Sequence, residues 1–123
     1  MSCLSWNCRG LGNPRIEDEL VALVSNKGPK LVFLMETKVE KVILDLICRK
    51  IHFANLFVVP FHNQGGGIAL FWPADMTIDV QSLSNRHIDA IIDHGVVEAW
   101  QFMGFTETLT PRAGKTPGLL LDP

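Results

Sequence analysis

Leu31-Val32-Phe33-Leu34-Met35-Glu36-Thr37-Lys38 is a run of five apolar residues that stops on a carboxylate. It is short, follows the Gly28-Pro29 break, and has no alternating polar positions, so residues 30–35 read as a buried strand. A helix's length earlier stands a second such segment, Leu4-Ser5-Trp6-Asn7-Cys8-Arg9-Gly10-Leu11, whose residues 2–7 read as another strand. Between them Asn13 suits an N-cap, Pro14 the first helical position, and Glu17 and Asp18 the first turn. Ile16, Leu20, Leu23 and Val24 give that helix one apolar face. Strand, helix, strand implies parallel pairing, which brings Asn7 and Glu36 out at the same edge of one sheet.

Downstream, Val39, Val42, Ile43, Leu46, Ile47 and Ile51 recur at helical spacing, predicting a second helix over about residues 38–51. Leu56 to Val59, ended by Pro60, and Ile68 to Trp72, ended by Pro73, read as strands on either side of the flexible turn Gln64-Gly65-Gly66-Gly67. Residues 76–80, 87–92 and 96–105 read as three more strands, with Asp93-His94-Gly95 as a turn. The expected fold class is therefore α/β, in the α+β mixed-sheet sense, with two helices on one face of a single mixed sheet and the opposite face left apolar. Residues 1–105 form the domain; residues 106–123, with Pro111, Pro117 and Pro123, read as a poorly ordered tail.

Composition limits the function. The formal charge is −2, from 11 basic and 13 acidic residues, so the basic footprint of a strong nucleic-acid binder is missing. DNA binding would be either weak or reliant on a bound cation to offset the phosphate charge. No apolar run approaches the roughly 18 residues of a membrane span, and the N-terminus has no signal-peptide pattern. An intracellular protein, nuclear or cytoplasmic, is expected. Three cysteines, Cys3, Cys8 and Cys48, suit neither a disulfide framework nor a zinc site.

Glu36 ends an apolar strand, where a carboxylate costs free energy unless it is solvated or paired. Mg²⁺ accepts one or two carboxylates plus waters and phosphate oxygens. A solvated strand end is the plainer alternative. Asn7 can complete a metal's shell or bond its own backbone, and Arg9 can contact phosphate or stand free on the surface.

The strings Trp6-Asn7-Cys8-Arg9-Gly10-Leu11-Gly12 and Phe33-Leu34-Met35-Glu36-Thr37-Lys38 resemble the metal-site motifs of the endonuclease/exonuclease/phosphatase superfamily. Their wording is most similar to the endonuclease domain of plant non-LTR (LINE-type) retrotransposons. Gly66-Gly67-Ile68-Ala69-Leu70-Phe71-Trp72, Asn85-Arg86-His87-Ile88-Asp89-Ala90 and Trp100-Gln101-Phe102-Met103-Gly104-Phe105 resemble later strands in the family's order. The resemblance implies the N-terminal half of a four-layer α/β-sandwich. It also implies Glu36 and Asn7 as catalytic and metal-site residues, Mg²⁺ or Mn²⁺ held weakly if at all, Arg9 on the nucleic acid, and DNA as partner.

The likeness stops after Phe105. Where the family has an active-site Tyr this chain has Thr106, and residues 107–123 match none of the family's remaining Asp, Asn and His motifs. Asp93-His94 lies too early to be that His motif, and His87 reads as structural. Gly114-Lys115-Thr116 is not a phosphate loop, since Leu109 stands where the pattern needs glycine. The expected function is a truncated Mg²⁺-dependent endonuclease-like phosphodiesterase of retrotransposon origin, with activity low or lost. A non-catalytic relic or interaction module, self-associating through the bare sheet face, and a small-molecule phosphoesterase are the alternatives.

Overall fold

The computed structural model describes residues 2–60, 66–84, 86–93, 99–105 and 120–121. Among them the fold is mixed α/β, with two helices and two sheets. The elements are β1 (Cys3–Asn7), α1 (Pro14–Lys27), β2 (Leu31–Met35), α2 (Lys41–Lys50), β3 (Asn55–Val59), β4 (Ile68–Trp72), β5 (Ile78–Ser84), β6 (His87–Ile92), β7 (Trp100–Phe105) and β8 (Leu120–Leu121).

α1 begins and ends where its chemistry directs. The Asn13 side chain accepts the Arg15 N–H at 2.9 Å, Pro14 takes the first position, and Gly28 closes the helix at φ 57° with its N–H on the Val24 carbonyl. The helix returns the chain so that β2 lies parallel to β1, Cys3 opposite Leu31 and Asn7 opposite Met35. β4 pairs antiparallel to β2, and β3 to β4, giving the order β3-β4-β2-β1-β8. The pairing of Leu120–Leu121 with Leu4 and Cys3 falls within the stretch expected to be a poorly ordered tail; the rest of that stretch lies outside the described residues.

α2 is shorter than its apolar spacing predicts. It starts at Lys41 rather than near residue 38, because Lys38 is held at φ 53° with its N–H on the Gly66 carbonyl, a conformation that cannot continue into a helix. The exposed ion pair between Glu17 and Lys50 links α1 to α2.

Alternation along the strands divides the core into two layers. Leu4, Val32, Leu34, Ala69 and Phe71 face the helices and pack with Leu20, Val24, Leu44 and Ile47. The expectation of two helices on one face of a mixed sheet therefore holds. Cys3, Leu31, Phe33, Met35, Val59, Ile68 and Leu70 face the other way.

The single sheet with one bare face is a correction. β5, β6 and β7 form a separate antiparallel sheet, and its Ile88, Ala90, Ile92 and Phe102 cover that face. Each large apolar side chain withdrawn from water stabilises by about 1.5–3 kcal/mol. A bare face would forfeit more than a marginally stable domain possesses. Pro73 ends β4, a turn closed by the Met76 N–H on the Pro73 carbonyl leads away, and the meander folds back over the first sheet. Residues 94–98, the end of the expected turn and the first part of the strand expected over 96–105, lie outside the described residues.

Candidate functional site

The edge at which β1 and β2 emerge is built by backbone first. The Cys8 N–H binds the Met35 carbonyl at 3.1 Å, Gly10 binds Glu36 at 2.8 Å, and Leu11 binds Thr37 at 2.9 Å. On the other side the N–H groups of Thr37 and Lys38 bind the carbonyls of Gly67 and Gly66 at 3.2 and 3.3 Å. Glu36, Thr37 and Lys38 are thus clasped between the loop after β1 and the lead-in to β4.

The clasp holds unusual conformations. Arg9, Glu36 and Lys38 have φ near +52°, three of the five non-glycine residues with positive φ among the described residues. Such conformations cost on the order of 1–3 kcal/mol each and persist where neighbours over-determine them. Their concentration at one edge marks it as the place where backbone strain is held.

Side chains complete the geometry. Asn7 Nδ2 donates to Glu36 Oε2 at 2.7 Å, across 29 positions of sequence. Asn7 Oδ1 accepts the Arg9 N–H at 3.1 Å. The two bonds together settle the amide's orientation, since the reverse would set oxygen against carboxylate. Lys38 Nζ stands 3.9 Å from Glu36 Oε1. The structure therefore brings Asn7 and Glu36 into contact. Asn7 touches the carboxylate through its nitrogen and orients it, and its oxygen serves the backbone. The Arg9 side chain is exposed beside them.

A divalent cation here would rest on Glu36, with waters for the remainder of its shell. Among the described residues no three of His, Cys, Asp and Glu gather into a metal cluster. One oriented, part-exposed carboxylate fits a water-rich Mg²⁺ or Mn²⁺ and not a zinc-type cage. Cys8 adds no ligand: it donates to the Met35 carbonyl at 3.1 Å, and burial pushes its thiol up to about 12.

The residues set aside on sequence grounds sit elsewhere. His87 lies between Ser84 Oγ, 2.7 Å from Nδ1, and Ser82 Oγ, 3.3 Å from Nε2, with its ring stacked on Phe105 in the second sheet. Asp93 extends the β5–β6 pairing past Ile92: its N–H donates to the Thr77 carbonyl and its Oδ1 accepts the Thr77 N–H. His94 and Gly114-Lys115-Thr116 lie outside the described residues. Sequence reading passed over Lys38 and Thr37. Nothing in a Glu-Thr-Lys string announces that Lys38 turns back toward Glu36, or that the Thr37 hydroxyl is buried without a hydrogen-bond partner among the described residues.

No protein-family model matches the chain, and no curated protein matches it.

Proposed function

We propose that the chain is the metal-side part of a divalent-cation-dependent endonuclease domain of LINE-type retrotransposon origin, related to the endonuclease/exonuclease/phosphatase superfamily and acting ancestrally on DNA. The observation that carries this reading is the 2.7 Å bond from Asn7 to Glu36 at the shared end of two parallel strands. Glu36 would hold the cation, Asn7 orients the carboxylate, and Arg9 faces solvent where a phosphate can approach. A cation there would withdraw charge from a phosphodiester oxygen. Asn7 and Glu36 supply no proton-transfer group beyond the carboxylate itself, and His87 is engaged by two serines on another sheet. General acid–base help is worth about 10²–10⁴ in rate, so cleavage is expected to be low.

The test is nicking of supercoiled plasmid in Mg²⁺ by wild type and Glu36→Ala. Slow nicking that disappears with Glu36→Ala supports the reading. Equal nicking by both removes it.

A second reading, a non-catalytic module that pairs with its own copy, is favoured by Leu83, Met103 and Phe105, all about half exposed on the second sheet. β7 is an edge strand among the described residues and carries no charge. In a two-fold antiparallel pairing centred on Met103, like charges never meet. Sedimentation equilibrium decides: Met103→Lys should abolish any dimer, and a wild type that stays monomeric at high concentration rejects the module.

A further inference from the structure

The two oxygens of Glu36 are not equivalent. Oε2 is taken by Asn7, whose amide is itself fixed by the Arg9 N–H. Oε1 is the freer oxygen, and its neighbour is the Lys38 ammonium at 3.9 Å. The Lys38 backbone cannot drift away, because its N–H is bound to Gly66 in the left-handed region. Its side chain can: it is 40% exposed and sits on a flexible four-carbon stem. A divalent ion approaching Glu36 meets Oε1, and two cations on one oxygen repel each other.

We propose that Lys38 is a tethered cation that occupies the metal's place on Glu36, so that divalent-ion binding at this carboxylate is an exchange in which Lys38 Nζ leaves Oε1. The inference rests on the proposed role of Glu36 as a metal ligand and adds a residue that sets the affinity of that site. Lys38 is a positioning residue in this account. It keeps the carboxylate compensated when no metal is bound and weakens the site when one is. Exposed ion pairs are weak, so the competition is modest, about twofold to fivefold in affinity, and it fades with salt.

Mn²⁺ binding to the whole chain, followed by electron paramagnetic resonance at low ionic strength, tests this. Lys38→Met should bind Mn²⁺ about twofold to fivefold more tightly than wild type. Lys38→Gly, which suits the positive φ, should do the same and guards against a folding defect in the first variant. Lys38→Arg should restore wild-type affinity, and Glu36→Gln should lose binding. If Glu36→Gln weakens binding while both neutral Lys38 variants match wild type, the metal reading stands and the exchange is wrong. If Glu36→Gln binds Mn²⁺ as wild type does, Glu36 is not the ligand and both ideas fall.

Discussion

The ring of Phe33 on β2 lies directly over Gly104 on β7: a β-carbon at Gly104 would stand 2.6 Å from Phe33 Cε1. Phe33 also meets Phe102 edge-on, with ring centroids 5.4 Å apart. The two sheets approach each other closely here, and the contact depends on one position having no side chain. Gly104→Ala should therefore destabilise the fold by about 1–3 kcal/mol, the usual cost of overpacking. Phe33→Leu in the same chain should recover part of that loss. Urea denaturation of the two single variants and the double variant reads the coupling; strictly additive losses would mean the ring and the glycine do not meet.

Asn7→Ala removes a hydrogen bond to a carboxylate at a part-buried position and should cost about 1–2 kcal/mol. Asn7→Asp should cost more, because two carboxylates then face each other, and added Mn²⁺ should return most of the difference. Thermal melts with and without the cation check this. An Asn7→Asp protein as stable as wild type in chelator would contradict the contact.

Thr37 is 1% exposed and its hydroxyl has no hydrogen-bond partner among the described residues. A buried polar group in that state costs about 1–3 kcal/mol. Thr37→Val keeps the shape and removes the cost, so it should stabilise by about 1 kcal/mol. A loss of stability in chemical denaturation would show that the hydroxyl is satisfied after all.

Burial pushes the thiols of Cys3 and Cys8 from 9.0 up to about 12. Below pH 9 both are protonated in the folded and the unfolded chain, and their contribution is level. Between about 9 and 12 the unfolded chain releases protons that the folded chain keeps, so stability falls by about 1.4 kcal/mol per pH unit for each thiol. Denaturation from pH 8 to 11 should show this decline, and Cys3→Ala and Cys8→Ala should each make it shallower. A slope unchanged in both variants would assign the alkaline loss to other groups.

Local chemistry made the first third of the fold legible. Asn13, Pro14 and Gly28 bound α1 because capping and left-handed closure depend on residues a few positions apart. β1 and β2 were readable because a short apolar run between breakers has few other uses. Asn7 and Glu36 were readable as neighbours at one edge because a parallel pair with one crossover must end both strands at the same edge. The start of α2 was misread because Lys38 answers to Gly66, a partner 28 residues away that helical spacing does not register.

Alone, the sequence determined the strand-helix-strand unit, the unbroken apolar run of β2, and the emergence of Asn7 and Glu36 at one sheet edge. The tertiary structure decided that β5–β7 leave the first sheet and cover it. A period of two says which residues share a face, and is silent on which sheet the face will meet. It also decided what surrounds the carboxylate. Lys38 comes to Oε1 only because its backbone is clasped at a positive φ, and that conformation is stabilised by hydrogen bonds from loops distant in sequence.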